Sequence, residues 1–186
     1  MQKTLRNIHF AGFFALILAL LSIFSPLPTS SHAQSIQATH SAQRGRAWGK
    51  EIIVSLSEQY LVAYQNGQEV YSTDVTTGRP GLETPKGVYQ VFAKMSPTIF
   101  HSPFPRKSKN WYPPTHVQYA LEWRAGGYFL HDSWWHSVYG RGTTGWHYDP
   151  MDGWQQGSHG CISMPLEAAA WLYHWAPIGT TVIVKA

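Results

Sequence analysis

Alternating apolar and polar residues dominate the chain from about residue 50 onward, and this pattern is typical of β-strands. Ile52, Val54 and Leu56 alternate with polar or small residues, as a half-buried strand requires. Asn66-Gly67 then marks a tight hairpin turn. Runs rich in β-branched and aromatic residues predict the further strands, which are 70–75, 88–92, 117–123, 128–131 and 180–184.

Two long segments carry neither a strand period nor a helix period. Residues 95–114 are rich in proline, and residues 132–158 are rich in Gly, Trp and His. We interpret both as loops. Because a long structureless segment inside a compact domain is usually functional, residues 132–158 are expected to contribute to a site.

One segment has the pattern of an amphipathic helix. Pro165 suits a first helical position, and Pro177 and Gly179 end the segment. Its apolar face is predicted to comprise Leu166, Ala169, Ala170 and Tyr173. The chain is therefore predicted to be mostly β, with one main helix directly after Cys161.

The first 33 residues have the pattern of a secretory signal peptide. Lys3 and Arg6 precede the apolar run 10–24, which is shorter than the roughly 20 residues that span a membrane. Small residues at 31–33 predict a cut after Ala33, and hence an exported, extracytoplasmic protein. An uncleaved N-terminal anchor is the alternative.

The chain therefore divides into three parts. We expect a signal peptide over 1–33, a flexible polar leader over 34–49 and one folded domain over 50–186. The hydrophobic fraction of 44% excludes a disordered chain. The formal charge of +4 falls to +2 without Lys3 and Arg6, and no basic patch supports nucleic-acid binding.

Cys161 is the single cysteine of the 186 residues. It can form no disulfide within the chain and no multi-cysteine zinc site. A free thiol in an exported protein suggests a nucleophile, and the alternative is an inert, buried apolar residue. Gly157 and Gly160 allow a sharp bend around it, and the predicted helix start is expected to stabilise a thiolate.

A cysteine nucleophile needs a base, and four histidines lie in or beside the long Gly/Trp/His segment. These are His131, His136, His147 and His159. His131 ends a predicted strand just before Asp132, where a rigid element would present it at a site. The scattered histidines have no zinc-ligand spacing, so we expect neither a metal nor a cofactor.

Several motifs in the same order resemble the catalytic domain of the bacterial L,D-transpeptidases, cysteine enzymes that crosslink peptidoglycan. The motifs are TTGRPGLETPKGVYQVFAK, YFLHDSWW and SHGCISMP. The resemblance extends from Glu51 to Lys185. It implies a β-sandwich or barrel with one main helix after the catalytic cysteine.

The resemblance also implies roles for individual residues. Cys161 corresponds to the nucleophile, His131 to the general base and Asp132 to the group that orients the histidine. The N–H groups of Gly160 and Cys161 would form an oxyanion hole. The implied pocket residues are Ser158, His159, Trp134 and Tyr112.

Two further features concern the surroundings of the cysteine. Many family members carry Arg two residues after the cysteine, where this chain has Ser163. Aromatic side chains are expected to line the cleft and exclude water, with ordinary core packing as the alternative. These are Trp134, Trp135, Trp146 and Trp154.

The implied activity is a peptidoglycan L,D-transpeptidase of cell-wall biogenesis. Cys161 would form an acyl-enzyme with a stem tetrapeptide, release D-alanine and pass the acyl group to an amine of a second stem, giving a 3-3 crosslink. An L,D-carboxypeptidase that uses water is one alternative, and a non-catalytic wall-binding module is another. The expected partners are stem peptides, and we expect a monomer.

Overall fold

The computed structural model describes residues 49–186, so the predicted signal peptide and the predicted leader up to residue 48 lie outside the described residues. The described chain is mostly β with one α-helix, as the sequence predicts. No helix within residues 49–186 is long and apolar enough to cross a membrane. The strands are β1 (Lys50–Ser55), β2 (Tyr60–Gln65), β3 (Gln68–Asp74), β4 (Gly87–Gln90), β5 (Ala93–Met95), β6 (Thr98–Phe100), β7 (Thr115–Val117), β8 (Ala120–Arg124), β9 (Tyr128–Asp132), β10 (His147–Asp149), β11 (Gly153–Gln155), β12 (Ile162–Met164) and β13 (Thr181–Lys185), and the helix is α1 (Leu166–Trp175).

The first sheet has five strands in the order β3-β2-β1-β13-β4. Its β2–β3 hairpin turns at Asn66-Gly67, where both residues have a positive φ, as the predicted tight turn requires. The last strand, β13, lies parallel to β1 with Ile52 opposite Val182. Both of these side chains are fully buried, so this sheet presents an apolar face to the core.

The second sheet has four strands in the order β12-β9-β8-β5. Helix α1 packs against β8 and β9 and buries Ala168, Ala169 and Leu172. One hydrophobic core joins this sheet, the helix and the five-stranded sheet. Trp123 on β8 is its largest fully buried side chain. This architecture agrees with the expected β-sandwich or barrel with one main helix.

The two segments expected to be loops contain short strands, so that prediction was wrong in part. Residues 98–100 pair with 115–117, and the predicted strand 117–123 is divided between β7 and β8. Residues 147–149 pair with 153–155, with Tyr148 opposite Trp154. Strands of three residues are too short to show alternation, and their pairing joins chain segments that proline or glycine separates.

A further strand, β12, lies between Cys161 and helix α1. It pairs in parallel with β9. Pro165 caps the helix, which begins at Leu166 rather than at the proline. The prediction that the helix follows the cysteine directly was therefore wrong, since a strand intervenes.

Candidate active site

A cavity of about 1070 Å³ opens beside β9 and β12. Of the residues implied by the sequence resemblance, six line this cavity, whereas Gly160 and Asp132 are not among its lining residues. The six are Cys161, His131, Ser158, His159, Trp134 and Tyr112. Folding therefore gathers residues that lie up to 49 positions apart in the chain, the distance from Tyr112 to Cys161.

The register of β9 and β12 places Cys161 and His131 on one face. Leu130 pairs with Ile162, and both side chains are fully buried in the core. Because side chains alternate along a strand, His131 and the residue preceding Ile162 point to the opposite side, toward the cavity. The cysteine and the histidine are thus offset by two residues along neighbouring strands.

The Cys161 thiol is held in a protonated resting state. Its Sγ donates to the carbonyl oxygen of Gly127 at 3.4 Å. Burial raises the pKa of Cys161 to about 11, and the Glu122 carboxylate adds to this, although a backbone hydrogen bond from Phe129 opposes both. The thiol therefore needs a base to become a nucleophile at neutral pH.

The predicted stabilisation of a thiolate by the helix start was wrong. Strand β12 and Pro165 separate Cys161 from the first turn of α1. A helix dipole acts only within its terminal turn, so it has little influence at the thiol. The raised pKa of Cys161 agrees with this geometry.

His131 has the tautomer that a general base requires. Its Nδ1 lies 2.7 Å from the backbone carbonyl oxygen of Asp132. A carbonyl only accepts, so Nδ1 carries the proton and Nε2 keeps its free lone pair. Burial lowers the pKa of His131, and the Asp132 carbonyl and carboxylate only partly offset this. The ring is consequently neutral at neutral pH.

Asp132 orients the histidine through its backbone and uses its side chain elsewhere. The Asp132 carboxylate accepts a hydrogen bond from the Tyr119 amide at 2.6 Å, which ties β9 to the segment before β8. The His131 ring also packs edge-on against Phe100, with ring centroids 5.0 Å apart. These contacts fix the imidazole within the cavity wall.

Gly160 does not have the free amide that the oxyanion prediction assumes. Its N–H donates to Ser158 Oγ at 3.0 Å, and Ser158 Oγ in turn donates to the Cys161 carbonyl at 2.6 Å. Gly160 has a φ of +115°, and a Cβ there would lie 2.8 Å from the Tyr128 ring. Gly160 and Ser158 therefore shape the turn before Cys161, and the Cys161 amide remains the predicted oxyanion donor.

His159 is committed to a hydrogen-bond network and is unsuited to be the base. Its Nε2 accepts from Arg79 Nη2 at 2.7 Å. Burial and the Arg79 charge lower the pKa of His159 to about 4, against the opposing effect of a backbone hydrogen bond to Asn110. Arg79 also donates to Asn110 Oδ1 at 3.1 Å. This network ties three separate loops together at the cavity.

Tyr112 lies on the proline-rich loop across the cavity. Its ring packs against the His159 ring at 5.0 Å between centroids. Burial, and secondarily the nearby Cys161, raises the pKa of Tyr112. Tyr112 thus lines the same cavity as Cys161.

The tryptophans form the cavity rim rather than the core. Trp134, Trp146 and Trp154 are 60%, 69% and 71% exposed, and Trp135 also lines the cavity. The alternative of ordinary core packing is therefore contradicted for these three residues. Trp134 is held by a hydrogen bond from its indole to the His116 carbonyl at 3.0 Å.

The remaining candidate bases differ from His131 in partner or in position. His136 Nε2 accepts from the Trp135 indole at 3.0 Å, and burial lowers the pKa of His136 to about 4. His147 Nδ1 contacts the Gly145 carbonyl at 3.0 Å, much as His131 contacts Asp132, but His147 is not among the residues that line the cavity. No cluster of three or more His, Cys, Asp or Glu side chains able to hold a metal occurs between residues 49 and 186.

The sequence does not identify Arg79, which lines the cavity, or Asp149, which holds part of the loop beside it. The buried Asp149 carboxylate accepts hydrogen bonds from Ser137, Val138 and Met151, which hold its pKa well below the usual range although burial opposes this. These hydrogen bonds hold the two ends of the segment 137–151 together. Asp149 ends the three-residue strand β10, which is too short to show alternation, so no local signal identifies it.

Ser163 stands where many proteins of the resembling family carry arginine. Its side chain is buried on strand β12. Its Oγ donates to the Thr76 carbonyl at 3.1 Å, and the two residues also exchange backbone hydrogen bonds of 2.9 Å. Thr76 and Gly78 in this way place the segment 76–79 alongside residues 157–161, called the nucleophile loop after its proposed nucleophile Cys161. A cationic side chain reaches the cavity instead from Arg79, on that segment.

Comparisons with known proteins agree with this geometry. The family model of the L,D-transpeptidase catalytic domain, YkuD, matches residues 49–184. The probable L,D-transpeptidase 3 of Mycobacterium tuberculosis (strain ATCC 25618 / H37Rv) is 32% identical over 111 residues, which cover 58% of this chain and 36% of that protein. The chain thus matches little more than a third of the length of this relative.

Solved structures share the fold. A mutant L,D-transpeptidase of Enterococcus faecium is 27% identical with a TM-score of 0.59, and the match covers 74% of this chain and 50% of that one. The L,D-transpeptidase 3 of Mycobacterium tuberculosis with a faropenem-derived adduct is 25% identical with a TM-score of 0.60, covering 74% and 60%. Each match therefore spans less than two thirds of the other chain.

Proposed function

Since the chain belongs to the L,D-transpeptidase catalytic domain family, whose members act on peptidoglycan peptides, we propose that Cys161 catalyses acyl transfer between two peptidoglycan stems. The observation that carries this proposal is that Cys161, directly before β12, and His131, on the paired strand β9, line one cavity. The neutral imidazole with its lone pair on Nε2 is the complementary partner of a neutral thiol.

In the first half-reaction, His131 Nε2 takes the thiol proton as Sγ attacks the scissile carbonyl carbon of a tetrapeptide. The new C–S bond forms, and the negative charge on the oxygen is stabilised by the Cys161 amide. The C–N bond then breaks, and His131 returns the proton to the departing amine of D-alanine. A thioester acyl-enzyme remains.

In the second half-reaction, a side-chain amine of a second stem attacks the thioester carbonyl. His131 accepts a proton from this amine and returns it to the Cys161 sulfur as the C–S bond breaks. The product is an amide between two diamino acids, which is a 3-3 crosslink. Exposed Trp134, Trp146 and Trp154 at the rim favour an amine over water, because they reduce the solvation of the thioester.

Product analysis with a defined disaccharide tetrapeptide tests the proposal. We expect free D-alanine together with a crosslinked dimer, and neither product from Cys161→Ala. Trimmed tripeptide without a dimer would instead establish an L,D-carboxypeptidase. Binding to peptidoglycan without any product from the folded protein would establish a non-catalytic wall-binding module.

β-Lactam probes give independent support. The L,D-transpeptidase 3 of Mycobacterium tuberculosis carries a faropenem-derived adduct in its structure. We expect faropenem to add mass to this protein at Cys161 and to leave Cys161→Ala unmodified. Modification of another residue would contradict the assignment of the nucleophile.

We also propose that the protein acts outside the cytoplasm after cleavage behind Ala33. The substrate class requires this location, and the sequence pattern of residues 1–33 supports it. N-terminal sequencing of the protein from expressing cells is expected to begin at Gln34. An intact N-terminus at Met1 on membrane-bound protein would establish the anchor instead.

A further inference from the structure

Arg79 places a cationic side chain in the wall of the cavity that contains Cys161. The guanidinium contacts His159, which is two residues before the nucleophile, and the Gly157 carbonyl, at 2.7 and 3.4 Å. Its third partner is Asn110 Oδ1. All three partners are neutral acceptors, since His159 has a pKa of about 4.

No carboxylate in the described part of the chain lies within ion-pair distance of Arg79. An arginine has five N–H donors, and three are used here, so two remain for a ligand. Burial lowers the pKa of Arg79, which reflects incomplete solvation of its charge. A partly buried charge without a counterion is costly and calls for an anionic partner.

The charges around the cavity agree with an anionic ligand. Arg79 and Lys109 are the cationic lining residues, whereas Asp152 is the acidic one among the lining residues described. A planar guanidinium with free donors pairs well with a carboxylate. The segment 76–79 is fixed beside the nucleophile loop by the Gly78–Ser158 bridge, so the charge is positioned before a ligand arrives.

We propose that Arg79 binds the terminal carboxylate of the peptide that Cys161 attacks. This proposal rests on the proposed function, because the carboxylate is that of the D-alanine released in the first half-reaction. This carboxylate is one carbon away from the scissile amide nitrogen, so it must lie near the thiol. Arg79 thus selects peptides that end one residue after the attacked bond.

A first experiment needs no transpeptidase activity. Cys161 is alkylated with anionic iodoacetate and with neutral iodoacetamide, and the ratio of the two rates is compared between variants. Arg79→Gln is expected to lower the iodoacetate-to-iodoacetamide ratio by about tenfold, because a charge-assisted contact is lost. Any change in the thiol pKa affects both reagents alike and cancels in the ratio.

One variant controls for the loss of a positive charge elsewhere. Arg141→Gln removes an exposed cation that pairs with Glu58, and it is expected to leave the ratio unchanged. An unchanged ratio in Arg79→Gln, or an equal fall in Arg141→Gln, would overturn the carboxylate site.

A second experiment compares tetrapeptides with a free carboxylate and with a C-terminal amide. The wild-type protein is expected to favour the acid by about tenfold or more in kcat/KM, and added salt is expected to reduce this preference. Arg79→Gln loses the preference, whereas Arg79→Lys keeps part of it. Equal rates for acid and amide in the wild-type protein would overturn the proposal even if Arg79→Gln does not fold.

Together, the two experiments distinguish failure of the proposed function from failure of the proposed anion site. If neither peptide reacts while the alkylation ratio depends on Arg79, the proposed function fails and the anion site stands. If both peptides react and neither the alkylation ratio nor the acid preference depends on Arg79, the proposed function stands and the anion site fails.

Discussion

Cys161 and His131 face one cavity, and burial keeps both of them neutral. It raises the pKa of the thiol to about 11 and lowers that of the imidazole. A resting thiolate–imidazolium pair is therefore disfavoured in the free protein. Proton transfer must accompany the attack on the substrate.

The pH dependence of acylation follows from this state. Acylation requires neutral His131, so its rate falls as the pH drops through the lowered pKa of the ring. We expect a single-turnover rate that is level near pH 7 and has its midpoint below 6.5, the ordinary value for histidine. Stopped-flow measurement of acylation checks this expectation.

His131→Gln provides the control for the pH profile. Without the base, the residual rate is expected to rise with pH toward the thiol pKa of about 11 instead of levelling off. A wild-type midpoint above 6.5, or the same profile in His131→Gln, would remove His131 from the role of base.

The two central residues could be predicted from the sequence because each has a local signal. Cys161 is a lone thiol that follows two nearby glycines, and His131 ends a predicted short strand. The commitment of the Gly160 amide to Ser158 could not be predicted, because it depends on the conformation of one turn. Arg79 contacts a residue 80 positions away, and no spacing in the sequence reports such a contact.

Among the secondary-structure elements, the shortest strands and bridges set the geometry of the site. Strand β12 fixes the register of Cys161 against β9, although its three residues are too few to show alternation. The segment 76–79 joins it from the other side through Ser163 and Ser158. Long alternating strands such as β1 and β2 could be predicted, whereas these pairings arise only from tertiary packing.

The close approach at Gly157 gives a test of this loop packing. A Cβ at Gly157 would lie 2.4 Å from the Thr77 carbonyl oxygen and 2.9 Å from Thr144 Cα, both backbone atoms that cannot move cheaply. Gly157→Ala is therefore expected to destabilise the fold by about 1–3 kcal/mol and to lower kcat/KM at least tenfold. Thermal unfolding and D-alanine release measure the two effects.

Gly145→Ala is the matched control in the same loop region. A Cβ at Gly145 meets only the Gly142 carbonyl, at an ordinary 3.8 Å. We expect near-normal stability and activity from this variant. Equal behaviour of the two variants would show that the segment 76–79 does not constrain the nucleophile loop.

Over the described domain, residues 49–186, the two larger sheets and helix α1 share a core, and the site lies where loops from both sheets meet. This arrangement buries several histidines in neutral form. Burial lowers the pKa of His136 and of His159 to about 4, with Arg79 contributing at His159, and it also lowers the pKa of His131. The stability of the fold therefore depends on pH through these buried histidines.

Acid lability is the expected consequence. A histidine whose pKa is lowered by folding binds its proton more readily in the unfolded chain. The stabilisation that comes from keeping the ring neutral in the fold is complete above pH 6.5. It is lost as the pH falls toward about 4. The melting temperature is expected to decrease between pH 7 and pH 4.5, with a smaller decrease in His136→Gln. A constant or rising melting temperature over this range would contradict the buried neutral histidines.

The central claim is that Cys161 forms an acyl-enzyme whose formation depends on His131. Intact-protein mass spectrometry after brief mixing with a tetrapeptide tests it most directly. We predict an adduct with the mass of the peptide minus D-alanine on the wild-type protein, none on Cys161→Ala and a much slower one on His131→Gln. An adduct of the same mass on Cys161→Ala, or one that forms at the full rate on His131→Gln, would contradict the account.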